Sequence, residues 1–389
     1  MTDKNIKELD GKYIAGTYHR YDAVIKSGKG AKLYDESGKE YIDFGSGIGV
    51  NAFGICDSVW QEAVIEQIKK IQHTSNYYFT EPCARLAELL CEKTGMKKVF
   101  FSNSGAEANE CAIKAARKYG TDKNENKNKI ITMKESFHGR TVTTLSATGQ
   151  ESFHKSFTPF TEGFIYAEPN DIDALYAAAD ENVCAIMFEV VQGEGGVNNL
   201  SEEYLKAIED VCKKNDILMV IDEVQTGNGR CGELYSYMHF GLSPDIVSTA
   251  KGLGGGLPIG ATLFSEKTEN VLSVGMHGST FGDNPVSCAG AISIISRLTD
   301  DFLNGVKEKG EFIRAEIKKI KKAENISGLG LMIGFECGKD AAEVAEKCLE
   351  KGLLVLTAKN NKIRLLPPLN IEKEDIIKGL EILKGAIEE

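Results

Sequence analysis

None of the ten cysteines is paired with another at CxxC spacing, and the six histidines show no HExxH or other ligand-like cluster. That excludes the common zinc spacings and a thioredoxin-like redox motif, and no metal is expected. Cys111, Cys184, Cys212 and Cys348 lie inside apolar runs, as reduced thiols acting as small hydrophobes do. Long apolar runs are missing: nothing approaches the ~18 residues of a membrane span. The opening MTDKNIKELDGKYIAGTYHR has no apolar signal-peptide core, so a cytoplasmic location is expected. Positive charge is short, with 46 Lys and Arg against 57 Asp and Glu and a net charge of −11. Non-specific nucleic-acid binding is not expected from that balance, whereas local arginines for carboxylates remain open. Tryptophan occurs once, as Trp60, at the start of an amphipathic face (Ala63, Val64, Ile68, Ile71) where packing explains it. Repeats and low-complexity tracts are absent.

What is present is a chain of 389 residues, 42% hydrophobic, long enough for two or three domains. LYDESGKEYIDF (33–44) reads as a hairpin, followed by a glycine-rich loop, GSGIGVNAFG. From about residue 85 strands and helices alternate. Strands are expected at 97–101, 130–132, 163–166, 183–188, 217–221 and 246–247, with helices at 106–119 and 203–214. The alternation predicts an α/β fold with a mostly parallel central sheet flanked by helices. After about residue 290 the pattern changes: helix 303–321, strand 331–335, helix 341–350, strands 353–356 and 363–366, and helix 372–388. The expected division is an N-terminal segment (1–60) belonging with a smaller α+β domain, a large α/β domain (61–290) and the rest of the small domain (291–389).

The stretch 217–260 organises the chemistry. One short apolar run ends on Asp222 and Glu223; a second leads to Lys251, set among glycines. Open α/β sheets hold ligands at the carboxyl ends of their strands, so the acid and the amine can share one crevice. That pairing suits pyridoxal phosphate, with a Schiff-base lysine and an acid for the pyridinium nitrogen. A surface lysine and a turn-capping acid would read the same in isolation. Ser102-Asn103-Ser104-Gly105-Ala106 follows a strand and opens a helix, which makes either a phosphate seat or an ordinary Ser N-cap. In Glu135–Thr141, Phe137 can stack on a flat ring and Arg140 can fork onto a carboxylate, while His138 reads as a structural hydrogen-bonder. Phe188–Gly196 puts Glu189 and Glu194 among glycines at a strand end. Gly227–Gly232 matches GxGxxG, but no amphipathic helix follows it, so a dinucleotide site is rejected. His277–Pro285 holds the hydroxyl pair Ser279 and Thr280. Arg364 stands in an otherwise apolar strand and needs an acid or a substrate carboxylate.

Seven blocks in order carry a family resemblance: HTSNYYFTEP (73–82), SNSGAEANECAIKAAR (102–117), FHGRTVTTLSATGQ (137–150), FEVVQGEGGV (188–197), DEVQTGNGR (222–230), AKGLGGGLPIGA (250–261) and HGSTFGDNP (277–285). The chain resembles the class III aminotransferases of the pyridoxal-phosphate-dependent fold type I, most of all their acetylornithine branch. The resemblance implies that Lys251 holds pyridoxal phosphate and shuttles the proton, and that Asp222 keeps the ring nitrogen protonated. It further implies that Phe137 and Val224 sandwich the ring, that Gln225 bonds its phenolic oxygen, and that Ser104, Gly105, Ala106 and Glu189 complete the cofactor site. Thr280 would reach the phosphate across a homodimer with shared active sites. Ile48, Arg140, Glu194, Ser279 and Arg364 would contact substrate, with Arg140 and Arg364 on carboxylates and Glu194 covering Arg364 when a mono-carboxylate enters. The implied donor is N2-acetylornithine, the acceptor 2-oxoglutarate and the product glutamate, in arginine biosynthesis. Ile48 stands where ornithine-specific members resemble each other in having tyrosine, which favours an acylated donor. Succinylornithine, ornithine or 4-aminobutyrate as donor is the alternative within the class, and a binding protein that has lost catalysis the alternative outside it. Two departures, Gly54-Ile55-Cys56-Asp57-Ser58 and Ser327-Gly328, bear on packing rather than chemistry.

Overall fold

The computed structural model describes residues 3–389. Its central sheet has seven strands: β1 (Lys98–Ser102), β2 (Lys129–Met133), β3 (Phe164–Ala167), β4 (Val183–Phe188), β5 (Leu218–Asp222), β6 (Ile246–Thr249) and β7 (Gly260–Phe264). Their spatial order is β1-β7-β6-β5-β4-β2-β3. All pairings are parallel except those of β7, which runs against both β6 and β1. The sequence reading found six of these strands within a residue or two and missed β7. Its GATLF run is fully buried but too short to separate from loop by pattern.

Both faces of the sheet are covered, which is why every residue of β4 and β5 is buried and both are apolar up to Asp222 at the end of β5. Helix Gly105–Thr121 lays the small residues Ala112, Ala115 and Ala116 against Ala185, Met187, Leu218 and Val220. Leu205 and Ile208 of helix Glu202–Asn215 belong to the core that includes Ile186, Phe188, Met219 and Ile221. Ser104 and Ser201 cap these two helices, each accepting from the backbone N–H three residues on at 3.2 Å.

Two smaller sheets flank this core. Strands Glu324–Leu329, Met332–Glu336, Lys362–Leu365 and Leu356–Ala358 form one, all antiparallel. Ile25–Lys29, Lys32–Asp35, Glu40–Asp43 and Leu353–Leu354 form the other. The single strand expected over 353–356 is therefore two. Leu353 and Leu354 pair in parallel with Ile42 and Asp43, and the chain crosses at Val355 to the other sheet. The helix expected over 303–321 begins at Asp300 and ends at Ile317, where Ile320 bonds back to Ile317 in a tighter turn. The departure at 54–58 is a packing device: Asp57 caps helix Ser58–Lys70 and pairs with Arg297 at 2.7 Å.

Candidate active site

Five strands of the central sheet deliver side chains to one edge. β1 leads into Ser104–Ala106, β2 into Phe137–Arg140, β4 into Glu189, β5 into Asp222–Gln225 and β6 into Lys251. Ser104, Gly105, Ala106, Phe137, Arg140, Glu189, Asp222, Val224, Gln225 and Lys251 all line a single cavity of about 410 Å³. β5 and β6 are hydrogen-bonded neighbours with Asp222 opposite Ser248, so the acid and the lysine share the crevice by register.

Asp222 is fixed by three donors. Asn109 Nδ2 and His138 Nδ1 reach its Oδ2 at 2.7 and 2.8 Å, and the Val224 N–H reaches Oδ1 at 2.9 Å. Asn109 also donates to the His138 carbonyl at 2.7 Å and accepts from Ser248 Oγ at 2.5 Å. Burial works against a charged His138, but the Asp222 hydrogen bond and charge outweigh it, and the imidazole is held above its ordinary pKa. The structural role expected for His138 is thus played at the acid itself. Asn109 was not expected at all. A buried polar residue on an alanine-rich helix face, flanked by Ala108 and Ala112, was the available signal. Glu223, the neighbouring acid, points elsewhere: Thr226 Oγ1, Ser236 Oγ and the Tyr237 N–H donate to it at 2.6, 2.7 and 2.9 Å.

Lys251 has φ 47°, and Asn228 Nδ2 holds the preceding carbonyl of Ala250 at 3.0 Å. Burial is the main cause that lowers its amine pKa, with Arg364 adding to the effect and Glu194 opposing it. A lowered pKa makes the amine a better nucleophile at neutral pH. Glu189 accepts from the Phe137 N–H at 3.0 Å and is pushed up to about 7 by burial.

Glu194 and Arg364 form the ion pair that an arginine inside an apolar strand called for: Arg364 Nη1 lies 2.7 Å from Glu194 Oε1 and donates to Gln225 Oε1 at 3.0 Å. Burial alone would raise the Glu194 carboxyl, but Arg364 outweighs it and holds the acid below its usual range. Gln225 therefore joins the lined cavity to this pair. Arg140 is exposed at the rim, its guanidinium 5.6 Å from the Phe137 ring and 4.6 Å from that of Phe153.

Besides the Glu194–Arg364 pair, which adjoins the cavity through Gln225, three expected residues do not line it. Ile48 sits in a left-handed turn (φ 65°) and lines a different apolar pocket with Tyr21 and Leu356. Ser279 accepts from Asn103 Nδ2 at 3.0 Å beside the phosphate seat, and Thr280 is exposed. Gly227–Gly232 is no nucleotide cradle, because the buried Arg230 spends its guanidinium on the carbonyls of Leu331 and Pro367 at 3.1 and 2.5 Å.

The cavity fits pyridoxal phosphate. At Gly105 an added Cβ would stand 2.6 Å from Val224 Cγ1, so the seat has no room for a side chain there. The helix N-terminus at 104–106 offers unpaired N–H groups for an anion, and Asp222 faces the same space as Lys251. The His138 Nε2 is buried without a partner on this side of the molecule.

Comparison with known proteins agrees. The family model described as aminotransferase class-III matches residues 13–387. An acetylornithine aminotransferase of Haemophilus ducreyi is 50% identical, with 100% of both chains covered. One from Caldanaerobacter subterraneus subsp. tengcongensis is 47% identical over 97% of this chain and 98% of the relative. Among solved structures, an ornithine aminotransferase from Toxoplasma gondii superposes with a TM-score of 0.95 at 31% identity, covering 100% of this chain and 95% of that one. An N-acetylornithine aminotransferase from Stenotrophomonas maltophilia gives 0.85 at 33% identity over 98% of each. With a match that spans nearly every residue and relatives at this level of identity, the chain belongs to the class III aminotransferases, enzymes that depend on pyridoxal phosphate.

Proposed function

We propose that the enzyme transfers the terminal amino group of N2-acetylornithine to 2-oxoglutarate, giving N-acetylglutamate 5-semialdehyde and glutamate, as a step of arginine biosynthesis in the cytoplasm. The single observation that carries this reading is the Glu194–Arg364 pair beside Lys251. A site that alternates between a mono-carboxylate donor and a dicarboxylate acceptor needs a cation it can cover and uncover. The names of the curated relatives support the choice of donor.

Pyridoxal phosphate, when bound, supplies a carbonyl that condenses with amines and a ring that accepts the electron pair released at the reacting carbon. The chain's residues do the rest. Gly105 and Ala106 would bind the phosphate by backbone N–H groups, at the helix end that Ser104 caps. Phe137 and Val224 would confine the ring, and Asp222, oriented by Asn109 and His138, would hold a proton on its nitrogen. Lys251 Nζ would hold the cofactor and would move a proton at the substrate carbon. Glu189 and Gln225 line the same cavity and would help to hold the ring, Gln225 by a hydrogen bond to its phenolic oxygen. Arg140 binds a carboxylate at the rim, and Arg364 binds one when Glu194 withdraws.

The working unit in this reading is a homodimer with Thr280 of the partner subunit at the phosphate. Tyr77, Tyr78, Phe79 and Phe281 are all strongly exposed, apolar surface of the kind that a subunit interface covers. Asn76 Nδ2 donates to the Ser279 carbonyl at 2.9 Å, tying that patch to the Ser279–Thr280 loop.

The test is a visible spectrum of the purified protein before and after each of four donors: acetylornithine, succinylornithine, ornithine and 4-aminobutyrate. The expected result is a yellow band bleached fastest by acetylornithine. Faster bleaching by free ornithine would overturn the choice of donor, and no band at all would overturn the enzyme. Sedimentation at micromolar protein should show a dimer; a monomer would remove the shared site.

A further inference from the structure

The segment Glu194–Gly196 is clasped between two loops that carry the other substrate-binding arginines. On one side lies Glu135, with φ 64°, at the start of the loop that presents Phe137 and Arg140. The Glu135 carbonyl is packed so closely on Gly195 that an added Cβ there would lie 2.2 Å from it. On the other side lies Lys359, in the turn between strands Leu356–Ala358 and Lys362–Leu365, the second of which holds Arg364. The Lys359 N–H donates to the Glu194 carbonyl at 3.3 Å, and the Lys359 carbonyl would meet a Cβ at Gly196 at 3.1 Å. The clasp is closed by an ion pair between Lys359 Nζ and the Glu135 carboxylate, both half-buried. The adjacent Lys134 is engaged with Glu168 at 2.8 Å.

We propose that the Glu135–Lys359 ion pair is a specificity-determining latch, which limits how readily Glu194 leaves Arg364 and so sets the balance between mono-carboxylate and dicarboxylate substrates. Neither residue touches the cavity that holds Lys251; both act through the backbone of Glu194. The latch rests on the Glu194–Arg364 exchange proposed above. Its physical basis is direct. Glu194 can withdraw from Arg364 by side-chain rotation alone or with a shift of its backbone. The clasp removes the second route. Opening the clasp restores that route and favours the substrate that needs Arg364 uncovered.

The experiment measures kcat/KM of the two half-reactions separately in single turnovers of the holoenzyme, acetylornithine against 2-oxoglutarate. The variants are Lys359→Met, Glu135→Gln, the two together, and the exchanged pair Glu135→Lys with Lys359→Glu. Each single variant should raise the 2-oxoglutarate to acetylornithine ratio two- to fivefold, the reach of one partly exposed ion pair. The double variant should change it no further than either single one, and the exchanged pair should return it towards the parent value. A purely structural role would lower both half-reactions together and leave the ratio unmoved, which overturns the latch, as does additivity in the double variant. Glu194→Gln run alongside separates the two ideas. If it shifts the ratio while Lys359→Met does not, only the latch falls; if it leaves the ratio unchanged, the exchange falls and the latch with it.

Discussion

Gly105→Ala isolates the cofactor seat from the rest of the fold. The added Cβ would lie 2.6 Å from Val224 Cγ1 and 2.8 Å from Cγ2. Rotation about χ1 gives no relief, because it exchanges one methyl for the other, and a β-branched side chain has few alternatives. Backbone retreat is blocked too, since the Val224 N–H is bonded to Asp222 Oδ1 at 2.9 Å. Overpacking of this kind costs about 1–3 kcal/mol. Alanine is the better helix former at this first helical residue, by at most about 0.5–1 kcal/mol, which offsets part of that cost in the empty protein. The remaining route is displacement of Val224 into the cavity, and that cost falls on cofactor binding. The expected effect is a rise of roughly 5- to 150-fold in the Kd for pyridoxal phosphate, with the melting temperature of the apo-protein little changed. Equilibrium titration of apo-protein, followed by absorbance, measures it. Val224→Ala in the Gly105→Ala background should recover part of the affinity by clearing the clash. A Kd within twofold of the parent, or no recovery in the double variant, would refute the claim that Gly105 and Val224 share one tight seat.

Lys251 yields a pH prediction. Its folded pKa lies below the unfolded value, so folding favours the neutral amine. That contribution is present above the unfolded pKa near ~10.4 and is lost as pH falls towards the folded value. Apo Lys251→Met should therefore melt higher than apo parent at pH 7, with the gap closing as pH approaches 10; a gap independent of pH contradicts the reasoning. Arg364→Leu should raise the KM for 2-oxoglutarate about 10- to 150-fold, the range of one charge-assisted hydrogen bond, with a smaller change in acetylornithine kinetics; equal losses would argue against its selective role. Glu223→Ala strands three buried donors and should lower stability by about 2–5 kcal/mol while keeping the cofactor band, whereas Asp222→Ala should perturb the band. Thermal melts and spectra of the two variants side by side decide it.

The residues that could be read from sequence share a cause. Lys251 and Asp222 end short apolar strands, and strand ends meet wherever neighbouring parallel strands pair. Arg364 was conspicuous because charge in an apolar strand demands a partner, and the partner is Glu194 at 2.7 Å. What stayed hidden depends on tertiary placement. Asn109 looks like any polar residue in a helix until β5 sets Asp222 against it. The break at Val355 is invisible because both halves of the run are apolar, and only the presence of Ile42 and Asp43 decides where the first half pairs. Ile48 was expected beside the substrate from a resemblance alone, and the left-handed turn around Gly47 and Gly49 sends it to another pocket of the same chain. Thr280 is exposed in the single chain, and nothing in its local sequence marks it apart from any other loop hydroxyl.

The antiparallel strand β7 has a consequence for the lysine. Residues 250–259 connect β6 to its immediate neighbour, where Thr249 faces Ala261 and Ser248 faces Thr262. The connection is closed at its base by those ladder bonds and held further out by Trp60, whose Nε1 donates to the Gly254 carbonyl at 3.0 Å. Lys251 is its second residue. Its backbone is thus anchored two residues beyond a strand that is bonded to the strand of Asp222. Beyond the Trp60 contact, Gly256, Leu257, Pro258 and Ile259 return to line the cavity that holds Lys251. An insertion between Gly254 and Ile259 would rebuild the cavity wall, while the β5–β6 register would still keep the amine beside the acid.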